Sequence, residues 1–169
     1  MAVKALMRLS QGMTFVAACI CLPLILIIMS VDVFNRYFLN APWTWSTEAC
    51  SLLLFISVVL ALPESWRVGI HIRAEFLRGA ISKRALVVIE RLVWLLLVIL
   101  SIALIWQSRI DGLLMILIAE RSVELDIPMV WFRVLLAFSA LVTGLIGLWG
   151  FVTGTIPNPA DADFVGGIE

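Results

Sequence analysis

The sequence predicts an all-α integral membrane protein with four transmembrane helices and both termini in the cytoplasm. Apolar residues make up 63% of the chain and charged residues 14%, whereas soluble domains run at about 45–50% and about 25%. The mean hydropathy of +1.10 is too apolar for a soluble chain of 169 residues, because much of its surface would have to face water. Four apolar runs each approach the ~20 residues that cross the hydrocarbon core of a bilayer.

These runs define the predicted spans. Residues 9–31 carry no charge, and this run is longer than the ~7–15 apolar residues of a signal-peptide core, so we favour a retained helix over a cleaved signal. A stretch at 112–119 is too short to cross alone, and it either extends the third span or lies in the interface. We expect one four-helix membrane domain over residues 1–169, with spans at about 9–38, 44–63, 86–109 and 129–153 and a loose acidic tail at 155–169.

Basic residues predict the orientation, because Lys and Arg in short loops concentrate on the cytoplasmic side. The N-terminal segment and the loop after the second span together hold eight of them. The opposite side holds four, which are Arg36, Arg109, Arg121 and Arg133. Both termini and the loop 64–84 are therefore expected in the cytoplasm. Within that loop, apolar residues at helical spacing over 76–81 suit either a short helix on the inner leaflet, in contact with membrane lipid, or an ordinary polar connector.

The chain offers little for a metal or a cofactor. A haem held by two histidines needs two from the chain, and a catalytic zinc site usually needs two or three, whereas His71 is the only histidine in the sequence. The cysteines Cys19, Cys21 and Cys50 lie in apolar runs, where free Cys packs as a small hydrophobe. Twelve basic and twelve acidic residues with no basic stripe give no footprint for nucleic acid. No enzyme motif is present, so we expect no enzymatic activity, cofactor, metal or nucleic-acid partner.

Three charged residues lie around the hairpin between the first two spans. Asp32 and Arg36 are four residues apart and share a helix face, and Glu48 lies about one turn into the second span. A charge at bilayer depth costs on the order of 3 kcal/mol, so these residues are expected to have partners. The favoured interpretation is that Arg36 binds Glu48, with Asp32 as a second acceptor, and ties the spans together. A docking surface for another protein and a proton relay are the alternatives.

Three motifs resemble a known family. Residues 32–48 read DVFNRYFLNAPWTWSTE, residues 69–75 read GIHIRAE, and Ile127-Pro128 precedes the last span with Trp131. Together they resemble the small membrane subunit, the DctQ-like component, of tripartite ATP-independent periplasmic (TRAP) transporters. The sequence departs from that pattern in having one glycine, Gly69, where the family often has two, and in having Pro63 in the second span.

The resemblance implies an accessory role in the bacterial inner membrane. Such a subunit packs on the scaffold of a large transport subunit that imports an organic acid, driven by a sodium gradient. It also helps to dock a periplasmic substrate-binding protein. The resemblance points to structural or docking residues at Asp32, Arg36, Trp43, Trp45 and Glu48, and to a cytoplasmic loop motif at Gly69, His71 and Glu75.

Two other functions are compatible with the sequence. A small oligomeric exporter could couple proton movement to transport through Glu48. A membrane anchor for an oxidoreductase is the third possibility, although the single His71 argues against a haem in it.

Overall fold

The computed structural model describes residues 2–67 and 83–153, and within these ranges the chain is helical apart from two connections. The helices are α1 (Ala2–Val16), α2 (Leu22–Phe38), α3 (Ser46–Arg67), α4 (Lys83–Leu117) and α5 (Val130–Thr153). A π-helical turn over Ala17–Cys21 joins α1 to α2, so that these elements form one continuous first span. Gly69, His71 and Glu75, the amphipathic stretch 76–81 and the acidic tail 155–169 lie outside the described residues.

In the described part of the chain, four helices are long and apolar enough to cross a membrane. They are Leu6–Phe38, Ser46–Trp66, Arg91–Leu117 and Val130–Val152. The prediction of an all-α protein with four such helices is confirmed. Because successive helices run in opposite directions, the connections 39–45 and 118–129 lie at the same end of the molecule. We call this end the loop face.

The spans pack in the order first span, α3, α5, α4. Helix α3 contacts both halves of the first span and α5, whereas α5 lies between α3 and α4. In the most apolar stretch of each span, 33% of the α3 residues and 39% of the α5 residues are buried, against 11% in the first span and 22% in α4. The two flanking helices therefore leave most of their surface available to lipid or to another protein.

The apolar core lies in the half of the molecule away from the loop face. Its buried residues come from α1, α4 and α5, and Leu60 and Trp66 of α3 pack against them. The buried members are Met13, Trp94, Leu97, Val142 and Ile146. All four spans thus meet in this half.

A stripe of glycines brings α5 close to α4. Gly144, Gly147 and Gly150 recur every three residues and face α4. A Cβ atom added at Gly147 would lie 3.1 Å from Leu97, and one added at Gly150 would lie 2.6 Å from the Trp94 ring. Membrane helices associate through packing rather than through the hydrophobic effect, and small residues permit the close approach.

The π-helical turn occurs immediately before Pro23. A proline has no N–H to donate, and in a regular helix its ring clashes with the carbonyl four residues earlier, here that of Cys19. The N–H of Leu22 bonds to the carbonyl of Ala17, five residues back, so the helix is wider here. Such single wide turns are a known way for a helix to absorb a local disruption. The first span consequently continues through the proline.

A second proline, Pro63, creates a hydrogen bond between helices. It lies inside α3 and leaves the carbonyl of Val59 without its usual helical donor. The hydroxyl of Ser139 on α5 donates to this carbonyl at 2.5 Å, and Ser139 is only 1% exposed. A neighbouring Ser or Thr is a common donor to a backbone group freed by proline in a membrane helix.

We expect Ser139→Ala to lower the free energy of unfolding by about 1 kcal/mol, because it strands a buried carbonyl. In a Pro63→Ala background the N–H of residue 63 can bond to Val59, so the same Ser139→Ala change should cost much less. A double-mutant cycle measured by unfolding in mixed micelles checks this coupling. Ser57→Ala is the matched control, since the Ser57 hydroxyl bonds within its own helix to Leu54. An equal cost of Ser139→Ala in both backgrounds would contradict the assignment.

Helix α4 continues past the predicted end of the third span at 109. It reaches Leu117 as a single helix, so the stretch beginning at 112 extends the span. The charge of Asp111 does not interrupt it, because Arg133 of α5 lies 3.2 Å away and Gln107 donates to the Asp111 carboxylate at 2.8 Å.

Candidate functional site

Two carboxylates organise the loop face, and both bind backbone N–H groups. Asp32 lies two turns before the end of α2, and Glu48 lies in the first turn of α3. Each of them holds a different connection.

Asp32 holds the connection between α2 and α3. It is 3% exposed, and its Oδ1 accepts the N–H of Trp43 at 2.8 Å. The Trp43 carbonyl in turn accepts the Ser46 hydroxyl at 2.9 Å. Asn40 reverses the chain direction with a φ of 51°, a conformation that asparagine tolerates better than most residues. The corner leading into α3 is therefore fixed from inside by one buried carboxylate.

Glu48 holds the connection between α4 and α5. Its carboxylate accepts three successive N–H groups, those of Val123 at 3.0 Å, Glu124 at 2.7 Å and Leu125 at 3.2 Å. Successive backbone N–H groups that converge on one point form an anion-binding nest. Here a carboxylate of the same chain fills the nest. Glu48 thereby joins α3 to a loop about 75 residues later in the sequence.

The loop that Glu48 holds is a small hairpin. The N–H of Ser122 bonds to the carbonyl of Ile127 at 2.9 Å, and that of Met129 bonds to Glu120 at 3.2 Å. Asp126 adopts a φ of 53°, and its carboxylate lies 2.8 Å from the guanidinium of Arg121. The turn at Val123–Leu125 is thus presented to Glu48 in a defined shape.

The predicted pairing of Arg36 with Glu48 is wrong. Arg36 bonds to Asp32 through Nη2 at 2.7 Å, which confirms Asp32 as an acceptor, whereas both oxygens of Glu48 accept backbone N–H groups of the α4–α5 connection. The physical reason is position: Asp32 lies one turn away on the same helix face, and Glu48 faces a loop that is remote in sequence.

Arg36 is instead directed outward. Its side chain is 54% exposed, whereas that of Asp32 is 4% exposed. Nη2 binds Asp32, and a guanidinium has five N–H donors in all. The remaining donors are available at the loop face to an acceptor on another molecule.

Two tryptophans lie beside this charge. The rings of Trp43 and Trp45 stack with centroids 5.0 Å apart and planes inclined by 20°, and both residues are half-buried. Because the Asp32 bond fixes the backbone of Trp43, the pair has a defined position next to α2. The predicted site residues Asp32, Arg36, Trp43 and Trp45 are therefore neighbours, and Glu48 acts on the other connection.

The rest of the loop face carries charges of both signs. Arg121 and Asp126 form an exposed ion pair, and Glu120 and Glu124 are also exposed. Within residues 2–67 and 83–153, no group of three His, Cys, Asp or Glu side chains is arranged to hold a metal ion.

Sequence reasoning missed the hairpin at 120–129 and its contact with Glu48. Asp126, Pro128 and the flanking charges are the local signals of a turn. No local pattern predicts that the N–H groups of this turn meet a carboxylate in a different hairpin. The glycine stripe on α5 was also missed, although its spacing of three residues was visible.

Comparison with known proteins yields one family. The family model described as "Tripartite ATP-independent periplasmic transporters, DctQ component" matches residues 25–154, well over half of the chain. The match includes Asp32, Glu48 and both loop-face connections. Neither a search of curated proteins nor a search of solved structures found a match.

Proposed function

The chain belongs to the DctQ component family of tripartite ATP-independent periplasmic transporters, and we propose that it is the small subunit of a sodium-driven importer of an organic acid in the bacterial inner membrane. Its partners are a large membrane transport subunit, a periplasmic substrate-binding protein and membrane lipid. The observation that carries the proposal is the family match over residues 25–154 on a chain with four helices long enough to cross a membrane.

The loop face supports a role in docking the binding protein. Asp32 and Glu48 fix the backbone of both connections, so the surface is ordered before a partner arrives. A preordered surface loses less conformational entropy on binding. Arg36 and the exposed pair of Arg121 and Asp126 supply charged groups, which favour fast and specific encounter with a soluble partner.

The alternative of a proton-coupled exporter using Glu48 has less support. Both carboxylate oxygens of Glu48 accept backbone N–H groups, an arrangement that holds a loop in place. The alternative of an oxidoreductase anchor has no support from the family match.

Transport by reconstituted components tests the proposal. We expect sodium-driven uptake in proteoliposomes that contain this chain, the large subunit and the binding protein, and no uptake with this chain alone. The chain should also co-purify with the large subunit in mild detergent. Uptake by the chain alone would contradict the accessory role and favour the exporter.

The proposal includes the orientation that the basic residues predict. A cysteine introduced at Pro42 or Asp126 should react with a membrane-impermeant thiol reagent added from the periplasm, because the loop face would then lie outside. A cysteine at Arg78 should react only after the membrane is opened. Labelling of position 78 from outside, with none at position 42, would reverse the orientation.

A further inference from the structure

Arg109 is an exposed cation inside a membrane-spanning helix. It lies within the span Arg91–Leu117, is exposed, and has no hydrogen-bond or ion-pair partner among residues 2–67 and 83–153. The pairing of Asp111 with Arg133 sets the register of α4 against α5 and places Arg109 level with Leu135. That is five residues inside the α5 span, which begins at Val130, or roughly 7 Å at ~1.5 Å per residue.

No other charge in the described spans has this combination of depth and exposure. The exposed Arg8, Arg36 and Arg91 lie within two residues of a span end. Asp32 and Asp111 lie deeper, but each has a partner and neither is exposed. Arg109 therefore needs a separate explanation.

Lipid is a poor environment for this side chain. A cation at the centre of a bilayer costs on the order of 3 kcal/mol even on the gentler scales, and less towards the interface. The Cα–Cβ bonds of a helix tilt towards its N-terminus, which in α4 points away from the loop face and deeper into the membrane. The direction of the side chain thus opposes its escape to the nearer interface. Asp111 cannot be the ion-pair partner of Arg109, because residues two positions apart face nearly opposite sides of a helix.

The residues in line with Arg109 become more exposed towards the loop face. Trp94, Val98, Ile105, Arg109 and Ile116 follow one another at spacings of four and seven residues, and we call this line the Arg109 flank. Trp94 is 7% exposed and Ile116 is 63% exposed, and Val98 and Ile105 between them are half-buried. Burial by the chain itself therefore ends before Arg109.

The first span offers a contrast. Most of its exposed residues at 22–31 are large hydrophobics such as Leu26 and Ile27. Pro23 and Ser30 are exposed as well, and this stretch contains no charged residue. Such a surface is compatible with lipid. The exposed end of the Arg109 flank combines one cation with an apolar side chain, that of Ile116, the mixture that a protein neighbour with a matching acceptor would satisfy.

We propose that the Arg109 flank of α4 is the surface against which the large transport subunit packs, and that an acidic side chain of that subunit binds the Arg109 guanidinium. This inference rests on the proposed function, since it needs the large subunit as a partner. It adds which face of the chain makes the contact and which charge the partner supplies. The first span then faces lipid.

Photo-cross-linking in the assembled complex tests the face. A photoreactive amino acid is introduced at Ile116 on the Arg109 flank, or at Ile27 on the first span as a control of similar exposure, 63% against 59%. We expect a cross-link to the large subunit from position 116 and none from position 27. Cross-links from 27 but not from 116, in a complex that still co-purifies, would overturn the inference and leave the proposed function standing. Failure of the wild-type chain to co-purify with the large subunit would instead overturn the proposed function.

Charge removal tests the pairing. Arg109→Leu should lower recovery of the large subunit roughly tenfold, which corresponds to about 1.4 kcal/mol, whereas Arg109→Lys should retain much of it. The isolated Arg109→Leu chain should be at least as heat-stable as the wild type, because an exposed membrane charge is gone. Arg8→Leu in the first span is the control for loss of one exposed positive charge and should not reduce recovery. Wild-type recovery with Arg109→Leu, or a cross-link from position 116 to a second copy of this chain, would refute the pairing.

Discussion

Replacing Glu48 by alanine is expected to detach the α4–α5 connection from α3 and to remove most of the transport activity of the assembled complex. The Glu48 carboxylate accepts three successive N–H groups, and no side chain remains to replace it in the variant. Loss of a single hydrogen bond to a charged group shifts an equilibrium by about tenfold or more. We therefore expect uptake to fall at least tenfold, with a lower unfolding temperature of the purified chain.

Two variants distinguish the loss of the hydrogen bonds that Glu48 accepts from a simple loss of negative charge. Glu124→Ala removes an acidic side chain from the same loop but leaves its backbone N–H bonded to Glu48, so it should behave like the wild type. Glu48→Gln keeps one acceptor oxygen and places an NH2 group against backbone donors, so it should be intermediate. Near-normal uptake and stability in Glu48→Ala would show that the hairpin keeps its shape without the hydrogen bonds to Glu48.

Replacing Gly150 by alanine is expected to cause the largest change in helix packing. The added Cβ would lie 2.6 Å from the Trp94 ring, and Trp94 is only 7% exposed, so the ring has little room to move. Overpacking of this kind typically costs about 1–3 kcal/mol. Thermal unfolding in detergent measures the loss of stability. Recovery of the large subunit measures its effect on assembly.

A matched glycine provides the control. A Cβ added at Gly112 of α4 meets nothing within 4 Å, so Gly112→Ala should be neutral or should stabilise the helix by up to about 1 kcal/mol. Combining Gly150→Ala with Trp94→Leu should recover part of the loss, because the smaller side chain leaves room for the new methyl group. Equal stabilities of the Gly150→Ala and Gly112→Ala variants would contradict the close packing of α4 on α5.

The four helices could be predicted from composition because lipid imposes a simple rule on length and polarity. A run of about 20 apolar residues has few structures other than a membrane helix. The bond between Asp32 and Arg36 could also be predicted from the sequence, since residues four apart on a helix are neighbours. The four helices and this bond depend on local sequence alone, and both are present in the structure.

The contacts of Glu48 show where local reasoning fails. Sequence proximity suggested Arg36 as its partner, but the nearest donors in space come from Val123 to Leu125. Their position depends on how α5 packs against α3, which no single segment encodes. The two alternatives for 112–119 could not be separated for a related reason, because Asp111 just before this stretch pairs with Arg133 on another helix.

The bond from Ser139 to the carbonyl of Val59 has a consequence for biogenesis. The two residues are 80 positions apart, and ribosomes add about 5–20 residues per second. Helix α3 is therefore made roughly 4–16 s before its missing donor exists, at these rates. During that interval the Val59 carbonyl lacks the donor that it has in the complete fold. Insertion of the final helix thus completes the hydrogen bonding of the second helix as well.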